Sequence, residues 1–407
     1  MTKTEQEQIR ASRGDNRDSR LPFRLAAGVM ALALTLPAFA GQREQAKRMH
    51  DRLTGVSPTA AVLDDMVTAM ATSSKAAALL AIDPTQNPEN AKYFYNVTLK
   101  NFATPWTNEA QDVFAPLNDY TALVIGMIRD DVPFNQLFSA PFTYVGNPGP
   151  GVRAVSPSNN DHYEDLEATG VDLSLQANLD QVPQTIAAPA GVFTTRAAAR
   201  AFFIDGTNRA MFRFAMLNHL CKDMEEVEDT TRTADRIRQD VSRSPGGDSR
   251  IFMNSCIGCH TGMDPMAQAF AYYEFEYPEG NEDAGQLVYT PGLVQPKYLI
   301  NSDNFNPGYV TPNDNWDNYW RSGPNANLGW ATSGSGSSGS GSGAASMGAE
   351  LANSVAFERC QATKAYRAVC LGEPTQGQLD ALLVDYNANN KSMKQVFASA
   401  ATQCMGD

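Results

Sequence analysis

The sequence predicts a mostly α-helical protein of several domains with long irregular loops. Apolar residues recur at helical spacing in several segments, among them Ala61–Met70, Tyr120–Arg129 and Ala349–Cys370. Strict alternation of apolar and polar residues, the pattern of a half-buried strand, is rare. Stretches rich in Asn, Asp, Gly and Pro separate the helical segments, the longest over 278–330.

Composition places the chain among ordinary globular proteins. It has 407 residues, of which 43% are hydrophobic and 19% charged, enough for more than one domain with a buried core. The formal net charge is −13, from 45 acidic and 32 basic residues. Such an acidic surface repels phosphate backbones, so we expect no nucleic-acid partner.

The N-terminus has the pattern of an export signal. Arg20 and Arg24 precede the apolar run Leu25–Ala40, whose sixteen residues fall short of the roughly twenty needed to cross a bilayer. The run ends on Ala38-Phe39-Ala40, the small-x-small pattern of a cleavage site. We therefore predict a signal peptide over 1–40 and a periplasmic or secreted mature chain without a transmembrane segment. The alternative is a short uncleaved anchor.

The rest of the chain divides by composition into four parts. We expect an N-terminal helical domain over 41–150, a middle domain with a loop-rich extension over 151–331, a linker over 332–345 and a C-terminal helical domain over 346–407. The linker prediction rests on Ser333–Gly343, which contains only Gly and Ser and is typical of a flexible tether.

One motif carries chemistry. Cys256-Ile257-Gly258-Cys259-His260 is a C-x-x-C-H sequence, which is typical of covalent c-type haem attachment. On a helical turn the two thiols reach the two vinyl groups on one porphyrin edge, and His260 then binds the iron. The alternatives are a redox C-x-x-C pair and half of a zinc site. The sequence lacks the βαβ context that is typical of a redox pair and the second Cys/His pair that a zinc site requires. We therefore expect the middle domain to be a haem c domain with one covalently bound haem.

The residues around this motif resemble a known family. CIGCHTGMDPMAQAF is similar to the C-x-x-C-H-x-x-[ILM]-D-P pattern of planctomycete-type monohaem cytochrome c proteins. Arg129–Tyr144, Asn218–Met224 and Phe357–Cys360 resemble further family segments in the same order, while acidic Glu225–Asp229 replaces a Pro-rich stretch. The resemblance implies an exported, multidomain, helical c-type cytochrome and leaves the substrate open.

Two residues after the motif also have a predicted role. Pro265 lacks a backbone N–H and should stop or restart the helix that follows His260. Asp264 is then expected to cap the new segment, since aspartate is a favoured N-cap residue. A hydrogen bond from Asp264 near the haem edge is the alternative.

The sixth iron ligand distinguishes an electron carrier from an open haem. Met347 is one candidate, because it follows the Gly/Ser segment on an expected loop and resembles the loop Met before the last helix of class I cytochromes. His50, on a predicted amphipathic helix, is the other. Each also has a structural interpretation, as a loop hydrophobe and as a satisfied histidine. His219 and His162 are weaker candidates, and Met263 stays on the side of His260.

Four cysteines lie outside the motif and are consistent with two disulfides. If the C-terminal helices run up, down and up, Cys370 at the end of the first meets Cys404 at the end of the third. That leaves Cys221 to pair with Cys360, which would tie the middle domain to the C-terminal one. Three pairings exist in principle, and this one is favoured.

A weaker signal lies in 301–320, which offers many oxygen ligands for calcium. The segment lacks the ordered D-x-D-x-D-G spacing of a calcium-binding hand. A plain loop is therefore the favoured interpretation.

These features together predict an exported monohaem cytochrome that transfers electrons to or from a protein redox partner. The acidic surface favours a partner with a basic docking surface. One alternative is a haem enzyme with an open coordination position that acts on peroxide, oxygen or a small organic substrate. Another is a haem-bearing binding subunit of a larger periplasmic redox complex, with the Trp-rich 278–330 segment as its recognition surface.

Overall fold

The described part of the chain contains thirteen helices and six short strands, and about 54% of it is helical when the short 3-10 turns are included. The computed structural model describes residues 41–107, 113–204, 208–232, 236, 254–298 and 310–406, so the predicted signal peptide lies outside it. The helices are α1 (Gln42–Thr54), α2 (Ala60–Met70), α3 (Ser74–Ile82), α4 (91–103, with a π-helical stretch at Phe94–Leu99), α5 (Asp119–Arg129), α6 (Asp161–Ala168), α7 (Arg196–Phe202), α8 (209–220, π-helical over Met216–Leu220), α9 (Ile257–Ala267), α10 (Ala344–Ala352), α11 (Val355–Cys370), α12 (Gln376–Ala388) and α13 (Met393–Gln403). The mostly α-helical prediction is confirmed.

Side-chain caps fix where many of these helices begin. Thr59, Ser73 and Ser354 each accept a backbone N–H of the first turn of the helix that follows. At α12 the bonds run both ways between Thr375 and Gln378, which forms a capping box. Local sequence therefore sets these boundaries before tertiary packing acts.

The two ends of the described chain pack on each other. Helices α1 and α3 lie against α13, and the ring of Phe94 on α4 contacts Phe397 on α13 edge-to-face at 5.3 Å between centroids. The described residues from 41 to 406 form one compact unit, and the division of the chain near 150, 331 and 345 stays a prediction. None of the helices in the described part combines the length and hydropathy that a bilayer crossing requires.

The strands form three separate antiparallel ribbons of two strands each. They are β1 (Phe142–Gly146) with β2 (Leu179–Pro183), β3 (Tyr273–Glu276) with β4 (Gln286–Tyr289), and β5 (Asn315–Asp317) with β6 (Ser340–Ser342). In register, Tyr144 pairs with Gln181 and Trp316 with Gly341. Strands this short leave almost no alternating pattern in the sequence, so the sequence analysis does not predict them.

The Gly/Ser segment is not the flexible tether that its composition predicts. Ser340–Ser342 pairs with β5, and Arg321 donates to the carbonyl of Gly336 at 3.0 Å and to the buried carboxylate of Glu350. A Cβ at Gly336 would lie 2.1 Å from the carbonyl oxygen of Ala349. Glycine here permits close backbone approach and positive φ, rather than providing freedom of movement.

Both predicted disulfides are present. Cys221 is bonded to Cys360 and Cys370 to Cys404. The second bridge joins the ends of α11 and α13, because α12 returns the chain between these two helices. The first attaches the end of α8 to α11 across 139 residues of sequence.

Candidate functional site

The C-x-x-C-H motif opens helix α9. Cys256 precedes the first helical residue, and the helix continues through Pro265 to Ala267. Pro265 therefore does not stop the helix, contrary to the sequence expectation. Its missing N–H leaves the carbonyl of Thr261 without the usual helical donor, while the hydroxyl of Thr261 donates to the carbonyls of Gly258 and Asp229. These bonds attach α9 to the segment before it.

The two motif cysteines remain thiols, whereas the other four of the six are paired. Both are partly exposed. The Sγ of Cys259 lies 3.4 Å from the carbonyl oxygen of Met224. Partial burial and the nearby carboxylates of Glu228 and Glu225 raise the pKa of the Cys259 thiol. The pair thus lies at an accessible edge, and neither sulfur belongs to a disulfide.

His260 is held by a carboxylate on its own helix. Its Nδ1 lies 3.1 Å from each carboxylate oxygen of Asp264, one turn further along α9. Arg209 clamps the same carboxylate from α8, with Nε and one terminal nitrogen at 2.7 and 2.9 Å. Asp264 is therefore not a helix cap, and the alternative of a hydrogen bond near the expected haem edge describes it better.

The electrostatics of this group follow from burial and charge. The side chain of Asp264 is 4% exposed and that of His260 18%. Burial alone would raise the pKa of Asp264, but Arg209 and His260 outweigh it and hold that pKa well below its usual range. The carboxylate is consequently ionised and accepts from both neighbours.

Two further contacts fix the geometry of the helices that carry these groups. Asn208, in the left-handed region at φ 57°, begins α8 and donates to the carbonyls of Phe270 and Tyr273 just beyond α9. Gly262 lies against the buried indole of Trp320. Arg209 and His260 are thus placed by backbone and ring contacts on both sides of α9.

His50, His162 and His219 each have a protein partner at both ring nitrogens. His50 pairs with the carbonyl of Val56 at Nδ1 and the amide of Asn87 at Nε2, 2.9 and 3.0 Å away. His162 has the carbonyl of Arg153 and the backbone N–H of Gly146, and His219 has Tyr120 and Gln361. All three are buried. His50 is therefore arranged as a satisfied core histidine rather than as an iron ligand.

Met347 does not lie on a loop. It belongs to α10, is fully buried, and its helix packs on the turns Phe134–Gln136 and Gln268–Phe270, the second of which continues α9. Met347 therefore shares the core with the far end of the motif helix.

The geometry of the described residues also bears on two weaker sequence signals. Trp316, Trp320 and Trp330 are 1%, 0% and 8% exposed, so these rings are core residues and form no recognition surface. In the segment 301–320, for which a plain loop is the favoured interpretation and calcium binding the alternative, residues 301–309 lie outside the described part of the chain. In the part that is described, Asp314 accepts from Ser342 and Asp317 pairs with Arg236. Within the described ranges, no three His, Cys, Asp or Glu residues are grouped to hold a metal ion.

A separate cleft of about 440 Å³ lies beside the β1–β2 ribbon. Its walls include Thr143, Val145, Val182 and Ile186, and Thr195 and Arg196 at the N-terminus of α7 also line it. None of its lining residues belongs to the motif or to the Asp264–Arg209 pair.

Sequence reasoning missed Arg209, and for Asp264 it favoured a helix cap over the hydrogen-bonding role that it gave as the alternative. The spacing of His260 and Asp264 is i,i+4, which places both on one helix face and could have indicated their contact. No sequence signal marks Arg209, because the contact joins residues 55 apart. Comparisons of the chain with protein-family models, curated proteins and solved structures found no match.

Proposed function

We propose that this protein is an exported monohaem c-type cytochrome that transfers one electron to or from a protein redox partner. The observation that carries the proposal is the arrangement of the two free cysteines and the histidine of the C-x-x-C-H motif. Cys256 and Cys259 are partly exposed thiols on one helical turn, and the next residue, His260, is oriented by a carboxylate.

The donor set fits a c-type haem. Thioether attachment requires two reduced cysteines, and these two are the ones left out of disulfides. Histidines that bind a metal commonly donate their other ring N–H to a carboxylate, and Nδ1 of His260 contacts Asp264 in this way. Nε2 is then the nitrogen that would bind iron.

The resemblance of CIGCHTGMDPMAQAF to planctomycete-type monohaem cytochromes supports the same proposal. In that pattern the Asp-Pro pair has a fixed position after the histidine, and here Asp264 and Pro265 occupy it. A bound haem would supply reversible one-electron chemistry at its iron. The chain's own residues would retain it through two thiols and hold the imidazole in one orientation.

The partner surface follows from charge beside the motif. Glu225, Glu226 and Glu228, which we call the acidic segment, are exposed and directly precede the residues that contact α9. The segment packs closely, since a Cβ at Gly258 would lie 3.1 Å from Cβ of Glu228. A partner with a basic docking surface would be steered to this edge, and the attraction should weaken with salt.

Haem attachment itself tests the proposal. The full-length chain is exported by a bacterial host with haem-attachment machinery, and the purified protein is assayed by mass and by its pyridine haemochrome spectrum. We expect one haem per chain, and its loss in a Cys256→Ala, Cys259→Ala double variant. A Cys370→Ser, Cys404→Ser control, which removes cysteines outside the motif, should retain haem. Wild-type protein without haem would refute the proposal.

A further inference from the structure

The ion pair between Arg209 and Asp264 is built differently from an ordinary surface pair. Asp264 is nearly enclosed, and each of its oxygens faces both Nδ1 of His260 and one nitrogen of the Arg209 guanidinium. The carboxylate is therefore shared between an imidazole on one side and a planar, bidentate cation on the other.

The two neighbours act on the carboxylate in opposite ways. An anionic acceptor at Nδ1 makes an imidazole more basic and more electron-donating at Nε2. A guanidinium bonded to the same oxygens withdraws charge from them, which weakens that effect. A stronger axial donor favours ferric over ferrous iron and so lowers the reduction potential.

We propose that Asp264 and Arg209 are positioning residues that set the reduction potential of the haem held by His260. Asp264 lowers the potential through its bond to Nδ1, and Arg209 limits the decrease by neutralising the same carboxylate. The inference rests on the proposed function, because it assigns a role to residues that do not themselves touch the haem iron.

The helix that carries Arg209 also supplies a matched control. One turn further along α8, Arg213 forms the same bidentate pair with Asp223, with both nitrogen–oxygen distances 2.9 Å. Asp223 also accepts the backbone N–H of Met224, whose carbonyl oxygen lies 3.4 Å from the Sγ of Cys259. Neutralising Asp223 therefore removes an equal charge near the motif without touching His260.

The experiment measures the reduction potential of the haem-loaded full chain by optical titration. Asp264→Asn should raise the potential, with the equilibrium constant for reduction increasing at least tenfold, which is about 59 mV for one electron. Arg209→Gln should lower the potential. Asp223→Asn should shift it upward by less than half as much as Asp264→Asn. A merely structural role would move both test variants in the same direction, because each would loosen the imidazole.

A second readout reports the iron–imidazole bond directly. The spread of g-values in the ferric electron-spin spectrum depends on how strongly the axial ligands donate. It should change in Asp264→Asn and stay at the wild-type value in Asp223→Asn. If Asp264→Asn does not retain haem, the inference is tested by the direction in which Arg209→Gln shifts the reduction potential.

The outcomes separate this inference from the proposed function. A haem-free wild-type protein refutes the proposed function. A haem-loaded wild type overturns only the present inference if Asp264→Asn shifts no further than the Asp223→Asn control, or if Arg209→Gln raises the potential.

Discussion

Gly262 presents its α-carbon to the indole of Trp320, and a Cβ at that position would lie 1.9 Å from the ring nitrogen Nε1. Trp320 is fully buried, so the ring has no solvent to move into. The motif helix and the loop-rich segment after it therefore meet through a glycine.

Gly262→Ala should destabilise the protein despite the higher helix propensity of alanine. Overpacking a buried site typically costs about 1–3 kcal/mol, more than the roughly 0.5–1 kcal/mol gained by replacing glycine in a helix. Gly377→Ala on α12 is the control, because nothing lies within 4 Å of its added Cβ. Urea unfolding should show a lower free energy of unfolding for the first variant and an unchanged or higher value for the second. Equal values would contradict the contact.

Removal of each disulfide should lower the free energy of unfolding, and by a different amount for the two bridges. In the chain-entropy view, stabilisation grows with the closed loop, so Cys221–Cys360, with a separation of 139, should contribute about 5 kcal/mol and Cys370–Cys404, with a separation of 34, about 4 kcal/mol. Each bridge is removed as a Cys→Ser pair, and unfolding is followed in urea. Peptide mapping that linked Cys221 to Cys370 or Cys404 would overturn the pairing.

Stability should fall as pH drops below about 6.5, in part because of His219. Burial, and to a lesser degree Lys364, lowers the pKa of His219 well below 6.5. The unfolded chain then takes up a proton in this range that the folded chain cannot, while above 6.5 both states are neutral. This contribution to the free energy of unfolding is lost progressively as the pH falls from 7.5 to 5.5. His219→Gln should lose that share of the pH dependence, and the idea fails if the variant keeps the full wild-type slope.

The acidic segment should control the rate of electron exchange with charged reagents. A Glu225→Gln, Glu228→Gln variant of the haem-loaded protein should react more slowly with hexaammineruthenium(II), a cation, and faster with ferrocyanide, an anion, because steering depends on charge at the approach surface. Both differences should shrink as ionic strength rises. Asp65→Asn with Glu89→Gln, two exposed acidic positions near α2 and α3, is the control. Identical rates for the two double variants would contradict docking at the acidic segment.

Met347 and His50 are the two candidates for the sixth ligand that the sequence offers, and substitution of each residue distinguishes them. Met347→Leu nearly conserves volume in this buried site, so a spectral change would report ligation rather than unfolding. We expect the ferric iron to become high-spin in this variant and to stay unchanged in His50→Gln, since both nitrogens of His50 already have partners. An unaltered spectrum in Met347→Leu would exclude it as the ligand.

Local signals predicted the helical part of this fold well. Apolar spacing and caps such as Thr375 act within one or two turns, so the sequence contains them. Composition gave a wrong prediction at Ser333–Gly343. Glycines that permit close backbone contact cannot be distinguished by sequence from glycines of a flexible linker. At the site, the motif and the pairing of four cysteines could be predicted. The contact of Arg209 with Asp264 could not be predicted, since it depends on where α8 crosses α9.

The most direct test of the central claim is the combined optical and electron-spin spectrum of the ferric protein, exported with haem-attachment machinery. An electron carrier predicts one haem with six-coordinate, low-spin iron, because a closed haem exchanges electrons with little rearrangement. A high-spin iron with an open position, or a protein without haem, would contradict it.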